Sequence, residues 1–187
     1  MKIQACFSLA LLGAVTVQGA VVNVDRRTQS VTEVIRSLKR DPEGGFKHVG
    51  DDGIARSYAP DGTVIDAVRL TNEQLMEAAG HQQDPEDKKH LEEIWEGVNG
   101  FDVPEQQLLN PHKSLLPRML KDEVLAKELQ KREEETLAAL GQSKNVIRDL
   151  SARNRCFNLT CRSYVFCLQT GCNDCVVYDE LRGTNCR

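Results

Sequence analysis

Six of the seven cysteines lie in the last 32 residues of the chain, at positions 156, 161, 167, 172, 175 and 186. A segment of this length is too short to bury a core that would hold one conformation without covalent help. The seventh cysteine, Cys6, lies in an apolar stretch near the start of the sequence. This distribution predicts a C-terminal module, residues 156–187, that is ordered by cross-links and follows a longer region of different composition.

The first 20 residues have the pattern of a secretory signal peptide. An apolar run from Ala5 to Val17 is followed by the small residues Gly19 and Ala20. The run is too short for a membrane-spanning helix, and no later stretch approaches the roughly 20 apolar residues that spanning requires. We therefore expect cleavage after Gly19, which makes residues 1–19 the signal peptide, and a secreted, extracellular protein.

Removal of Cys6 with the signal peptide leaves six cysteines, and an even number in an oxidising compartment indicates three disulfides. The net charge of −4 is small, and the sequence has no basic stripe of the kind that binds nucleic acid. Residues 156–187 balance three arginines against three carboxylates, which gives no electrostatic support for binding to a membrane surface. We expect neither a nucleic-acid partner nor a membrane partner.

Two dibasic pairs, Arg26-Arg27 and Lys39-Arg40, flank a short polar segment after the predicted signal peptide. Kexin-like secretory proteases cut after such pairs, and the segment resembles a fungal-type propeptide. The sequence therefore predicts processing by such a protease at Arg27 and Arg40, within a disordered, propeptide-like segment over residues 20–45. The alternative is that the pairs are solvated charges in a disordered arm.

The centre of the chain predicts a β-hairpin followed by a short helix, over residues 46–80. Two runs with β-branched and aromatic residues surround Pro-Asp-Gly at 60–62. Proline presets one turn dihedral and glycine accepts a positive φ, so this tripeptide indicates a turn. Thr71 and Gln74 then stand at capping-box spacing before an apolar stretch, which indicates the start of a helix.

Prolines at positions 85, 104, 111 and 117 punctuate residues 81–118, which we therefore expect to be a linker with only short helices. Apolar residues at spacings near three and four then predict an amphipathic helix over residues 119–141. It is either a spacer or a helix that binds a partner. A third dibasic pair, Lys131-Arg132, lies in it, and cleavage after Arg132 would release residues 133–187 as a mature peptide.

The intervals between the six C-terminal cysteines are four, five, four, two and ten residues. They fit the loop lengths of the knottin, or inhibitor cystine knot, family, and the segment resembles most the plant carboxypeptidase-inhibitor type. The resemblance implies the pairs Cys156–Cys172, Cys161–Cys175 and Cys167–Cys186, the third threading a ring closed by the other two. Six cysteines allow many connectivities, so other three-disulfide folds remain open.

The fold class expected from these patterns is a small disulfide-rich, knottin-like module with short β-strands. It is preceded by a partly disordered α+β region with one hairpin and one amphipathic helix.

Other candidate sites are few. Cys172 and Cys175 have C-x-x-C spacing, which also occurs in zinc and redox sites, but no second close pair and no His stands nearby, so we expect structural disulfides and neither metal nor cofactor. The four histidines are scattered, and no nucleophile motif or carboxylate pair indicates catalysis. Asn158 begins the one N-glycosylation sequon, Asn-Leu-Thr.

The sequence thus predicts a non-enzymatic binding protein, effector- or toxin-like, directed at an extracellular or host protein. Arg162, Tyr164 and Phe166 are the expected contact residues, because Arg and aromatic residues are enriched at interface hot spots. One alternative is a carboxypeptidase-type protease inhibitor, although only Arg187 follows the last cysteine, where such inhibitors carry the residues that enter the enzyme. Another is that the cysteine-rich segment is a structural stabiliser and that the central region binds.

Overall fold

A computed structural model describes residues 25–142, 156, 161–178 and 185–186; the side chains of residues 140–142 and 185–186 lie outside the description. Five strands form one sheet in the order β3-β2-β1-β4-β5. The pairing between β1 and β4 is parallel, and the other three pairings are antiparallel. The strands are β1 (Phe46–Val49), β2 (Ile54–Tyr58), β3 (Val64–Arg69), β4 (Cys175–Tyr178) and β5 (Asn185–Cys186).

Helices cover both faces of this sheet, and the described part of the chain is therefore a mixed α+β fold. Short 3₁₀ turns at Arg26–Thr28, Gly100–Asp102 and Lys113–Leu115 connect some of them. The helices are α1 (Val31–Ser37), α2 (Asn72–Gly80), α3 (Pro85–Ile94), α4 (Glu105–Leu109), α5 (Arg118–Lys121), α6 (Glu123–Gln142) and α7 (Tyr164–Gln169).

The first core lies between the sheet and helices α1, α2 and α3. Trp95, which follows α3, is fully buried; its ring meets that of Tyr178 on β4 edge to face, with centroids 5.9 Å apart, and its Nε1 donates to the carbonyl of Gly50 at 3.3 Å. Helix α1 contributes three completely or almost completely buried side chains to the same core, Val31, Val34 and Ile35.

Two sequence expectations need correction in this core. Residues 25–45 were expected to be disordered, but Ser30 and Glu33 form a capping box at the start of α1, whose apolar face is buried. Residues 81–118 were expected to be a linker with only short helices. The short helices are present and the prolines precede or begin them, but Leu91 and Trp95 are fully buried, so the segment is part of the domain. Pro85 occupies the first turn of α3, where a missing N–H costs nothing, and Asp84 caps that turn.

The second core lies on the opposite face, beneath α5, α6 and α7. Phe46 on β1 stacks on Tyr58 on β2 with ring centroids 5.2 Å apart. Met119, Leu129 and Phe166 pack over these rings together with the buried cysteines of the C-terminal segment. The amphipathic helix predicted over residues 119–141 is present as α5 and α6, which Asp122 separates by ending the first and capping the second.

Strands β2 and β3 form an antiparallel hairpin at the position that the sequence predicts. Its turn depends on Gly62, which has a φ of 86°, and on Asp61, whose side chain accepts from the amide of Thr63 at 2.9 Å. The helix α2 that follows begins at the predicted capping box of Thr71 and Gln74. Local chemistry therefore accounts for this part of the fold.

The cysteine-rich segment is not a separate appendage. Strand β4 lies beside β1, with Lys47 opposite Val176 and Val49 opposite Tyr178. A parallel pairing needs backbone hydrogen bonds on both strands, so the segment and the central hairpin share one sheet. In the part of the chain that the structure describes, no helix is both long and apolar enough to cross a membrane.

Candidate functional site

Two disulfides, Cys156–Cys172 and Cys161–Cys175, hold the cysteine-rich segment together. Their Cα atoms are 5.8 and 6.2 Å apart, a separation that a disulfide can bridge. They are two of the three pairs implied by the knottin resemblance. Cys167 is also disulfide-bonded, whereas the side chain of its expected partner, Cys186, lies outside the described residues.

The sulfur atoms of Cys161, Cys167 and Cys175 lie within 4.8 Å of one another in the buried centre of this segment. Zinc and other soft metals bind the thiolate form of cysteine, and all three sulfurs are engaged in disulfides. The C-x-x-C pair, Cys172 and Cys175, belongs to two different disulfides. In its oxidised form the cluster therefore cross-links the backbone and supplies no thiolate ligand.

A buried ion cluster joins this segment to the sheet. Lys47 Nζ donates to Asp174 Oδ2 at 2.7 Å, and Arg40 Nη2 donates to the same oxygen at 3.1 Å. The side chains of Lys47 and Asp174 are 2% and 5% exposed, and that of Arg40 is 35% exposed. Burial lowers the pKa of Lys47, although the hydrogen bond and the charge of Asp174 oppose that effect.

Phe166 occupies a position that contradicts its expected role. It is 2% exposed and belongs to the second core, together with Phe46 and Val177. The Ser163 side chain caps the amide of Phe166 at the start of α7, and Phe166 then lies on the buried side of that helix. The prediction that Phe166 contacts a partner at the surface is therefore wrong, because its ring is already enclosed by the protein's own core.

Tyr164 and Arg162 are half-buried and bind other segments of the same chain. The Arg40 guanidinium lies 4.7 Å from the centroid of the Tyr164 ring, and its Nη1 donates to the Tyr164 hydroxyl at 3.2 Å. Arg162 Nε lies 3.9 Å from Glu133 Oε2 on α6. Both residues therefore help to hold the cysteine-rich segment against the rest of the domain. Part of each side chain stays in contact with solvent.

Helix α7 exposes two apolar side chains that the sequence analysis did not single out. Val165 and Leu168 are 37% and 50% exposed and stand three positions apart, so both lie on one face of the helix. Cys167 and Phe166 between them are buried. In the sequence, the signal that could have indicated this surface is Ser163 as a helix cap followed by apolar residues at 165, 166 and 168, which a single helix face cannot all bury.

Glu133 connects α6 to the residues that precede α7 by hydrogen bonds. It is 8% exposed, and its Oε1 accepts from the backbone amides of Arg162 and Ser163, the latter at 3.1 Å. Burial raises the pKa of Glu133, and the two amides with the nearby Arg162 charge counteract only part of that effect. The carboxyl group therefore satisfies two buried amide donors at an electrostatic cost.

A second buried pair, which sequence reasoning also missed, lies between Arg56 and Asp52. Arg56 is fully buried, and its Nη1 and Nη2 donate to the two Asp52 oxygens at 3.0 and 2.7 Å. Burial acts to raise the pKa of Asp52, but the hydrogen bond and charge of Arg56, together with hydrogen bonds from Gln107 and the Ile54 amide, leave that pKa below its ordinary value. Arg56 also donates to the carbonyls of Gln107 and Leu108, so the pair fixes α4 against the sheet.

The predicted processing sites lie in different environments. Arg27 is exposed in the first 3₁₀ turn, Arg40 belongs to the ion cluster, and Arg132 is half-exposed within α6, paired with Glu128. Gly19 and the glycosylation residue Asn158 lie outside the described residues. The structure therefore distinguishes the three dibasic pairs, which the sequence pattern alone treats as equivalent.

Comparison with known proteins gives one relationship. The chain is 38% identical over 91 residues to a fungal protein from Emericella nidulans (strain FGSC A4 / ATCC 38163 / CBS 112.46 / NRRL 194 / M139), which is named Lactobacillus up-regulated protein. The aligned region covers 46% of this chain and 50% of the relative, so the chain spans about half the length of the curated relative that it matches. No family profile and no solved structure match the chain.

Proposed function

We propose that this chain is a secreted, non-enzymatic protein that acts outside the cell, in the manner of an effector or toxin, by binding an extracellular or host protein through α7. The observation that carries the proposal is the exposed apolar pair Val165 and Leu168. Apolar side chains flanked by Arg and Tyr are typical of the centre of a protein interface. Arg162 and Tyr164 provide that flank.

The rigidity of α7 supports this role. Cys167 is disulfide-bonded, and the hydroxyl of Thr170 donates to the carbonyls of Phe166 and Cys167 at 3.1 and 2.9 Å. The Ser163 side chain caps the other end of the helix. A surface that is already ordered loses little conformational entropy on binding, which favours affinity.

Secretion is proposed from the signal-peptide pattern of residues 1–19 together with the disulfides, which persist in oxidising compartments. We assign the third disulfide to Cys167 and Cys186, which would complete knottin-type connectivity. In support, Cys167 is disulfide-bonded, and the β4–β5 pairing places the backbone of Cys186 opposite Cys175. Glycosylation at Asn158 and kexin-type processing accompany this proposal as predictions.

Secretion and disulfide content can be tested in a fungal secretory host. The protein recovered from the medium of a host that lacks its kexin-like protease should begin after Gly19 and gain ~6 Da on reduction, two hydrogens for each of three disulfides. Peptide mapping under non-reducing conditions should link Cys167 to Cys186. Retention of the protein inside the cells, or a different third pair, would contradict this part of the proposal.

Binding through α7 can be tested with a matched pair of variants. Leu168→Glu places a charge in the exposed apolar pair. Val124→Glu makes the same kind of change on α6, at a residue that is 77% exposed. After cross-linking in host extracellular fluid, a specific partner should be recovered at least tenfold less with Leu168→Glu and unchanged with Val124→Glu. Equal recovery with both variants would exclude α7 as the contact surface.

One alternative gains support from a specific observation. Strand β4 pairs with β1 inside the sheet, so the cysteine-rich segment also stabilises the central region. Deletion of residues 156–187 should therefore unfold the domain and abolish activity whichever surface binds. The inhibitor alternative depends on Arg187, which lies outside the described residues, and is tested by adding the protein to a panel of carboxypeptidases.

A further inference from the structure

An open cavity of about 570 Å³ lies at the β3 edge of the sheet. Strand β3 and the 3₁₀ turns Arg26–Thr28 and Gly100–Asp102 contribute to its wall. The volume is within the range of small-molecule sites, roughly 300–1,000 Å³. None of the described residues of the cysteine-rich segment lines it, and α7 lies elsewhere, so the cavity is distinct from the α7 surface. The lining includes Asp25, Arg26, Arg27, Arg69 and Phe101.

Three arginines line this cavity, Arg26, Arg27 and Arg69. In the part of the chain that the structure describes, none of them forms an ion pair with a carboxylate. The one carboxylate of the lining, Asp25, accepts a hydrogen bond from the backbone amide of Arg27 at 3.1 Å and so caps the 3₁₀ turn. Three arginines against this one carboxylate give the described lining a net positive charge, although the chain as a whole has a net charge of −4.

Two of these groups are held in place by the protein. Arg69 Nη1 donates to the carbonyl of Gly100 at 2.8 Å and also to that of Val103. The guanidinium of Arg27 lies over the Phe101 ring, 4.2 Å from its centroid, where the ring attracts the cation. Neither contact neutralises the charge. Both reduce the freedom that the side chains would lose on binding a ligand.

We propose that this cavity binds a small ligand that carries two or more oxyanion groups, carboxylate or phosphate, held by Arg26, Arg27 and Arg69. The planar guanidinium fork matches carboxylate and phosphate oxygens in a bidentate manner. A concave wall of low dielectric strengthens the attraction relative to an open surface. The proposal also gives the Arg26-Arg27 pair a role in the folded protein before cleavage after Arg27 would remove it.

The test uses the full secreted chain, with intact mass first confirming that Arg26 and Arg27 are retained. Citrate and pyrophosphate, which carry three carboxylates and two phosphoryl groups, are titrated by calorimetry at constant ionic strength, with chloride as the competing anion. The double variant Arg26→Gln/Arg27→Gln should weaken binding at least tenfold. The control Arg118→Gln/Lys121→Gln, which removes the same charge on α5 outside this cavity, should leave binding unchanged.

Each outcome decides the proposal. Saturable binding of citrate with weak binding of pyrophosphate would identify a carboxylate site, and the reverse would identify a phosphate site. If neither anion binds saturably, or if the control variant weakens binding as much as the double variant, the cavity is not an oxyanion site. Phe101→Leu, which removes the ring beneath Arg27 but keeps the charges, should weaken binding several-fold, and no change would exclude the positioning role of that ring.

Discussion

Lys47 Nζ lies 2.7 Å from Asp174 Oδ2, and both side chains are almost fully withdrawn from water. The contact joins β1 to the residue that precedes β4, 127 positions later in the sequence. It therefore attaches the cysteine-rich segment to the sheet by a charge pair in addition to the β1–β4 backbone hydrogen bonds. Removal of either partner should lower the stability of the fold, because the remaining ion would be buried without its countercharge.

Replacement of Asp174 by Ala should lower the free energy of unfolding by about 3–5 kcal/mol. Among the described residues, the hydrogen bond of Lys47 Nζ to the Arg36 carbonyl, at 3.5 Å, would remain. Denaturant titration followed by the fluorescence of Trp95, the one tryptophan in the chain, measures the change.

Glu135→Ala is a suitable control for this experiment. It removes one partner of the pair Lys131–Glu135, in which both side chains are well exposed, and should cost less than about 1 kcal/mol. Equal effects of the two substitutions would show that burial of the Lys47–Asp174 pair does not increase the cost of breaking it.

Cleavage after Arg40 should be blocked in the folded protein. The Arg40 side chain is bound to Asp174 and Tyr164, and the amide of Lys39 donates to Asp66 Oδ2 at 2.9 Å. A kexin-like protease must draw both residues into an extended conformation, which these contacts oppose. A time course of intact mass should show no product that begins at Asp41 until the disulfides are reduced.

The variant Tyr164→Ala should increase the rate of this cleavage, because it removes the ring beneath the Arg40 guanidinium and the acceptor of one hydrogen bond. Arg27, which is exposed, should be cut at the same rate in both proteins. Similar rates at Arg40 in the native and the reduced protein would show that the ion cluster does not protect the site.

Phe166→Ala should destabilise the fold by about 3–5 kcal/mol, the range for removal of a buried aromatic side chain. Leu168→Ala on the same helix should change the stability by less than about 0.5 kcal/mol, because Leu168 is half-exposed. Thermal and denaturant unfolding of the two variants provides the comparison. A small effect of Phe166→Ala would contradict its placement in the second core.

Glu133→Gln should remove a pH dependence of stability. A carboxyl group whose pKa is raised by folding binds its proton more tightly in the folded state. Its favourable contribution to the free energy of unfolding is therefore complete below the ordinary Glu pKa. That contribution is lost as the pH rises through the raised pKa. The free energy of unfolding of the wild type, relative to Glu133→Gln, should therefore decrease between these two pKa values.

Glutamine can still accept from the amides of Arg162 and Ser163, whereas leucine cannot. Glu133→Leu should therefore be less stable than Glu133→Gln at every pH, because it leaves two buried donors unsatisfied. If the wild type and Glu133→Gln show the same pH profile, Glu133 does not titrate with a raised pKa in the folded protein.

The features that the sequence predicted depend on short-range chemistry. The Pro-Asp-Gly turn at 60–62 and the capping box of Thr71 and Gln74 act within a few residues, and the spacing of the cysteines constrains which can pair. The pairing of β1 with β4 has no such local signal. Strand β1 reads Phe-Lys-His-Val, and its lysine is buried only because Asp174 arrives from a distant segment.

The candidate site could likewise be predicted only in part, because its contacts join segments that are distant in the sequence. Asp174 stands directly before Cys175, and a carboxylate beside a buried cysteine requires a cation that the sequence does not identify. Phe166 was assigned to the surface because its residue type is common at interfaces. The cap at Ser163 was the local signal that would have indicated a helix at this position and prompted the question of which side is buried.

The parallel register that places Lys47 opposite Val176 has a kinetic consequence. Contacts between such distant positions raise the contact order, and chains of high contact order fold slowly because a long loop must close first. During synthesis β1 remains an open strand edge until the last cysteines have emerged, and unpaired edges promote aggregation. The yield of folded protein should therefore depend on how well the chaperones of the cell that synthesises it shield residues 46–49 during that interval.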